Sequence, residues 1–431
     1  MKKILLLLLI CFAQNLFAQE VFNYDDFRYT IKRNNTITIT GYNGYSSSVN
    51  IPSVIEGKPV TTIRDEAFFH CDSLTSITIP NSVTTIGNHA FYSCESLTSI
   101  TIPDSVISIG ERAFRFCDSL TNIKISENNE TFTVIDNILY NKKEKMLHTC
   151  FSKKTNVVIP NGILEINNSA FSDCDSLTRI IIPDSVTTIG HSAFICCDSL
   201  TRITIPDSVT TIGNYAFSGC FSLTSIIIPN SVTTIGEYAF SGCRSLKSII
   251  IPNSVTTIGE GAFYSCWSLK SITIPDSVTT IGEDAFYDCN SLTSITIPNS
   301  VTTIEYGAFS GCSSLTSIII PDSVTTIGSE AFYCCSSLTS IIIPNSVTAI
   351  GEYAFSCCDS LRSITISNSV TTIGDSAFSG CKSLIIQCNP GSYAEKYCKK
   401  NNIKCLITPD GFWGIIKKKI YNIFCRINPN Y

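Results

Sequence analysis

The chain has 431 residues, of which 44% are hydrophobic, 15% charged and 10% aromatic, with a formal net charge of −5. This composition excludes intrinsic disorder and a collagen-like chain. The acidic balance, 30 Lys+Arg against 35 Asp+Glu, provides no basic field to gather phosphates, so no nucleic acid partner is expected.

In chain order, Lys2 and Lys3 precede an apolar run from Ile4 to Phe12, followed by a polar break and Leu16-Phe17-Ala18. The pattern predicts a signal peptide over 1–18 and an exported, secreted or cell-surface chain. The run is too short to span a bilayer, which takes about 20 apolar residues. Residues 19–66 read as an N-terminal cap: Thr36 to Thr40 alternates, Gly41-Tyr42-Asn43-Gly44 suggests a turn, and Ile51-Pro52-Ser53-Val54 with Val60-Thr61-Thr62-Ile63 anticipates the pattern of residues 67 onward.

From there Phe comes directly after Ala at 68, 91 and 114, then at 171, 194, 217, 240, 263, 286, 309, 332, 355 and 378. Every step is 23 residues except the jump from 114 to 171, so the chain is an internal repeat, and the repeat decides the fold. One unit reads Ser73-Leu74-Thr75-Ser76-Ile77-Thr78-Ile79-Pro80-Asn81-Ser82-Val83-Thr84-Thr85-Ile86-Gly87-Asn88-His89-Ala90-Phe91-Tyr92-Ser93-Cys94. The β-branched stretch Leu74 to Ile79, with Ile77 and Ile79 on one face and Thr78 on the other, predicts a short strand. Pro80 ends it, and Asn81 and Ser82 favour a turn. Val83 and Ile86 point back inward, Gly87 suits a backbone with positive φ, and Ala90, Phe91 and Cys94 have the spacing of a helical turn. Each unit is thus one coil of a solenoid that buries its faces against its neighbours.

The array divides into 67–126 and 156–388. Between them, residues 127–155 read as an inserted hairpin-like segment, with Val134 to Tyr140, a Lys-rich turn at 142–145 and then Met146-Leu147. Residues 389–431 read as a C-terminal cap and a basic, aromatic tail. In the tail, Gly411 to Phe424 carries Phe412, Trp413 and Lys417-Lys418-Lys419 and either packs over the last coil or makes weak membrane contact.

The outward strand positions form two columns on the face expected to be concave. One holds Ser76, Ser99, Asn122, Arg179, Arg202, Ser225, Ser248, Ser271, Ser294, Ser317, Ser340 and Ser363. The other holds Thr78, Thr101, Lys124, Ile181, Thr204, Ile227, Ile250, Thr273, Thr296, Ile319, Ile342 and Thr365. Such a strip of hydroxyls and exposed Ile suits an extended protein ligand; equally, β-branched residues stand there because strands favour them. Arg179 and Arg202, beside the insertion, are expected to be either a local specificity feature or plain solubilising charge.

Thirteen of the 22 cysteines recur three places after each Phe, where a thiol acts as a small buried hydrophobe. Cys334 with Cys357, and the cluster Cys388, Cys398 and Cys405, are better placed for disulfides. No metal or cofactor is expected, because the thiol column has no neighbouring His and no paired Cys-x-x-Cys. His70, His89, His148 and His191 read as surface residues. No Gly-x-Ser-x-Gly elbow, phosphate loop or zinc-protease helix is found, so no enzyme is expected.

The unit Leu-x-x-Ile-x-Ile-Pro-x-x-Val-x-x-Ile-Gly-x-x-Ala-Phe-x-x-Cys resembles the BspA-like class of leucine-rich repeats of bacterial surface and secreted proteins. The resemblance extends to Ile39-Thr40-Gly41-Tyr42 with Gly57-Lys58-Pro59-Val60, and to Gly391-Ser392-Tyr393-Ala394-Glu395-Lys396-Tyr397. It implies a leucine-rich repeat solenoid with one short parallel strand per coil and turns and short helical turns on the other side. It also implies a surface adhesin or interaction scaffold that binds host matrix and plasma proteins; the alternative is a structural envelope protein that self-associates. The usual Asn at the ninth position of such repeats is replaced here by Ser82, with Asn81 one place earlier.

Overall fold

The computed structural model describes residues 20–151 and 154–408. The expected signal peptide and the tail from Gly411 to Phe424 lie outside the described residues. The chain forms two compact units, one of residues up to 153 with Gly162–Cys174, the other of Lys154–Asn161 with the residues from Asp175 onward. Each is a parallel β-solenoid with a coil of about 23 residues.

In the first unit, Phe22–Tyr24, Phe27–Ile31 and Ile37–Tyr42 form an antiparallel meander. The third strand hands over to parallel pairing with Lys58–Ile63, which continues into Thr85–Ile86 and Ser108–Ile109. Gly41 and Tyr42 therefore lie within a strand rather than a turn, because their backbone is held by Arg28 and Phe27 across the meander. A second ladder runs through Ser48–Asn50, Ser76–Thr78, Ser99–Ile102 and Asn122–Ile125, all parallel. Within 127–155 there are three antiparallel strands, Phe132–Ile135, Ile138–Asn141 and Met146–Cys150. Asp136 and Asn137, both at positive φ, make the tight link that suits the twist of a two-residue hairpin. The last of the three strands pairs in parallel with Glu165–Ile166 and so re-enters the coil stack. Arg112 and Arg115 secure this return: Arg112 Nε donates to Ser169 Oγ at 2.8 Å, and Arg115 Nε meets Asp173 Oδ2 at 2.6 Å.

In the second unit, seven parallel strands stack in register from Asn156–Val158 through Arg179–Ile181, Arg202–Thr204, Ser225–Ile227, Ser248–Ile250 and Ser271–Thr273 to Ser294–Thr296. Each coil also contributes a second, two-residue strand, such as Thr234–Ile235 and Thr257–Ile258, so Val83-type and Ile86-type residues sit beside a second ladder and not in a simple bend. The unit ends with Ile385–Cys388 paired to Lys404–Ile407. Between these two strands runs the helix α1 (Tyr393–Asn401), whose Glu395 amide donates to the capping Ser392 hydroxyl at 3.2 Å.

Eight side chains per coil turn inward, as in Leu74, Ile77, Ile79, Val83, Ile86, Ala90, Phe91 and Cys94, all buried. The phenylalanines stack face to face from coil to coil: Phe217, Phe240, Phe263 and Phe286 lie 5.3–5.6 Å apart between ring centres and within 9° of parallel. The thiol column has a polar task as well as an apolar one. Cys266 Sγ donates to the Phe240 carbonyl at 3.2 Å, and Cys243, Cys289 and Cys312 repeat the bond one coil back each time. In the position of the missing Asn ladder, serines do the same work: Ser208 Oγ donates to Val186 O at 2.5 Å and Ser277 Oγ to Val255 O at 2.7 Å.

The helical spacing of Ala, Phe and Cys is realised by consecutive i→i+3 turns, for example Tyr92 N to His89 O and Cys94 N to Phe91 O. These turns place two residues per coil at positive φ, the one before Ala and the one before Cys, exemplified by His89 and Ser93 at 53° and 56°. Their amides donate to the next coil, at Glu111 O and Arg115 O, which offsets the cost of about 1–2 kcal/mol for a non-Gly residue there. Gly87 is not at positive φ, contrary to expectation. Its glycine is required by close approach, since a Cβ would strike the Asp65 amide of the preceding coil.

Candidate protein-binding face

The residues predicted for the binding columns are all exposed or half-exposed, and all lie at outward strand positions except Ser317, which is outside any strand, and Ile319, which makes only isolated bridges. In the first unit this face carries Ser76 in register with Ser99, Thr78 with Thr101, and Asn122 and Lys124 beyond them. In the second, Arg179 pairs with Arg202 on the adjacent strand, and Arg202 with Ser225, so the two arginines are neighbours in register and both are exposed. Pleating explains the alternation: Ile180, Ile203 and Ile226 turn in while their neighbours turn out. Ile227 and Ile250 are 67% and 73% exposed, and Ile181, Ile319 and Ile342 are exposed as well. The strand face is therefore a shallow mixed surface with hydroxyls, two arginines and isolated apolar side chains.

His148 corrects the sequence reading, which placed it on the surface. It is 4% exposed, its Nε2 lies 2.8 Å from the Ile109 carbonyl, and its ring meets Phe132 edge-on. Burial, the larger effect, pulls its pKa down, while the bond to Ile109 opposes this. The third inserted strand carries it inward: Leu147 pairs with the core residue Ile166, and the adjoining His148 ring reaches Ile109 and Phe132.

Cys243, Cys266, Cys289 and Cys312 of the thiol column are free thiols. Burial pushes Cys266 up to about 12 and Cys289 well above the usual thiol range. Such thiols stay protonated and are neither nucleophiles nor metal ligands. Cys388 Sγ lies 3.0 Å from Cys405 Sγ, on neighbouring strands of the C-terminal cap, and Cys405 also bonds Cys398 on α1. Among the described residues no group of three or more His, Cys, Asp or Glu is arranged to hold a metal ion. Asp284 is pushed up to about 6, first by burial and then by the like charges of Glu260, Glu283 and Glu330. Gly307 of the next coil lies directly against its carboxylate, close enough that a Cβ there would strike Oδ1. A cavity of 720 Å³ between the last coil and α1 is lined by Phe378, Tyr397, Lys404 and several serines, with no carboxylate or imidazole. No described helix is long and apolar enough to cross a membrane.

Sequence reasoning missed one cluster on the rim of the strand face, Phe221, Arg244 and Trp267. Its signal was available as a run of departures from the acidic residue that comes after Cys on neighbouring coils, as in Asp175 and Asp198.

The model of the BspA type leucine rich repeat region matches residues 38–153, 143–267 and 256–385. A leucine-rich repeat protein from Bacteroides ovatus superposes with a TM-score of 0.62 at 32% identity, over 90% of this chain and 99% of that one. A leucine rich cell surface protein from Faecalibacterium prausnitzii gives 0.52 at 32% identity, over 84% and 98%. A leucine-rich repeat protein from Eubacterium ventriosum, at 24% identity and 0.52 over 84% and 95%, shares the fold. No curated protein matches the chain. The matched repeats span most of its length, and the chain belongs to the BspA type leucine-rich repeat family.

Proposed function

We propose that the protein is exported and acts without catalysis as a cell-surface or secreted adhesin, binding host extracellular-matrix or other cell-surface proteins along its strand face. The observation that carries this reading is the outward column itself. Its strands present hydroxyls, paired Arg179 and Arg202, and Ile227 and Ile250 exposed well beyond what folding needs. Solenoids of this kind offer long repeated surfaces for distributed contacts, and arginine is enriched where such contacts carry energy. The relative described as a cell surface protein supports the location.

The test is binding of the purified chain, without residues 1–18, to immobilised matrix proteins. The doubly substituted Arg179→Ala, Arg202→Ala chain should bind about tenfold more weakly. Deleting 127–155 is not a clean control, because Met146–Cys150 belongs to the coil stack. Absent binding, together with assembly that grows with protein concentration, would instead support a structural, self-associating envelope protein.

A further inference from the structure

On three consecutive coils the residue after Cys changes from the acid or small polar group found on all other coils but the last, which has Lys382, to Phe221, Arg244 and Trp267. The Arg244 guanidinium carbon lies 4.5 Å from the Phe221 ring centre and 4.2 Å from the Trp267 ring centre, so both faces of the cation are covered by aromatic rings. Phe221 and Trp267 are nevertheless 37% and 42% exposed. The edge of the guanidinium, which carries its N–H donors, remains available to a carboxylate.

A second departure falls on the same coils. The strand-entry position is Thr on most coils, as in Thr201, Thr224, Thr293 and Thr316, but Lys247 and Lys270 occupy it here. These lysines lead into strands Ser248–Ile250 and Ser271–Thr273, which pair in register. Neighbouring strands lie about 4.8 Å apart, so two like charges are held beside each other at a cost to folding. Both lysines and Arg244 are exposed, and none forms an ion pair among the described residues. Ile227 and Ile250, with the highest exposures of the isoleucine column, belong to these coils too.

We propose that Phe221, Arg244 and Trp267, with Lys247, Lys270 and Ile250, form the anchoring hot spot for an extended protein segment that alternates carboxylate and apolar side chains. Charge complementarity selects the partner. Three uncompensated cations cluster on a chain of net charge −5, and an acidic segment relieves their repulsion while its apolar side chains cover Trp267 and Ile250. Tryptophan and arginine at the centre of such a patch are the residue types that dominate binding energy. This inference rests on the proposed protein-binding function and places its strongest contact away from Arg179 and Arg202.

The probes are a fluorescein-labelled extended peptide of alternating Glu and Leu, its Lys-Leu counterpart, an all-Glu peptide and a heparin-type sulfated glycan. Each is titrated against the purified chain by fluorescence anisotropy. The variant Arg244→Asp, Lys247→Thr, Lys270→Thr restores residues that the same positions hold on other coils, so the fold is retained, as circular dichroism and the melting temperature will check. The Glu-Leu peptide should bind and weaken about tenfold or more in the variant. It should also quench Trp267 emission in a Trp413→Phe background and bind less well as salt rises. Unchanged peptide binding in the variant would overturn the proposal, as would equal binding of the Lys-Leu peptide or binding of the glycan alone. If the variant still captures matrix proteins as well as the parent does, the hot spot is wrong and the adhesin reading stands. If the parent captures no protein, the adhesin reading itself fails.

Discussion

At the scale of single residues, the thiol column shows how one side chain satisfies two demands. Cys266 is small enough for the core slot and supplies a second donor to the Phe240 carbonyl, which already accepts from the Cys243 amide of its own coil. Native-state alkylation at pH 8 should leave Cys243, Cys266 and Cys289 unmodified, since burial holds them above the usual thiol range. The half-buried Cys334 and Cys357 should be labelled, and peptide mass spectrometry distinguishes the two sets. His148 gives the pH dependence of the first unit. Its folded pKa lies below the unfolded value of about 6.5, so the unfolded chain takes up the proton first and stability is lost as pH falls below that value. In a His148→Gln chain the loss between about pH 6.5 and 5 should flatten, as read by denaturant midpoints across that range. The inward slots were legible residue by residue, because Leu, Ile, Val, Phe and Cys recur in them across many coils. The positive-φ positions were not. Glu66, His89, Arg112, Tyr238 and Asp284 share one backbone conformation but no side-chain chemistry, so no residue pattern marks them.

At the scale of the coil and its strands, glycine in the Ile-Gly pair sets how closely neighbouring turns approach. A Cβ at Gly259 would stand 2.7 Å from the Glu237 amide nitrogen. Gly259→Ala should destabilise the second unit by about 1–3 kcal/mol, with faster amide exchange in Thr257–Ile258 and Thr234–Ile235. The chain contains its own version of this experiment. Glu305 replaces the glycine of its coil, and there the ladder of two-residue strands is interrupted between Thr280–Ile281 and Thr303–Ile304. On the following coil the strand shrinks to single bridges from Ile319 to Thr296 and Ile342. The first strand of each coil was legible because Ile-Thr-Ile alternates. The second was not, because Thr-Ile is too short to show a period. Met146-Leu147 was legible as part of the inserted hairpin, but its parallel pairing with Glu165–Ile166 was not, because that ladder bridges residues that only tertiary folding brings together.

At the scale of the whole molecule, stability is a sum of similar coils and the contacts between nearest neighbours. Phe286→Ala removes one ring from the stack between Phe263 and Phe309, and should cost about 3–5 kcal/mol. Because coupling runs between adjacent coils, hydrogen exchange should quicken most around 263–309 and fade with distance in the second unit. The solenoid was legible from one number, the 23-residue step, since only stacking can bury the faces of so short a unit. The binding surface was legible only in outline. Alternation identifies which side chains face out, but the cluster at Phe221, Arg244 and Trp267 emerges only when coils are compared with one another and the rings are found around the cation.

The bonds that join one coil to the next also bear on how such a chain can vary over generations. Cys266 and Ser277 each give a hydrogen to the coil before, and residues ahead of Ala such as Tyr238 and Asp284 give their amides to the coil after. Junctions built this way are chemically alike, and duplication or loss of one 23-residue segment within a run of them would leave no donor stranded and no ring without a neighbour. Copy number can drift in whole steps while the two ends stay as they are, and individual coils are left free to acquire side chains that suit a new ligand.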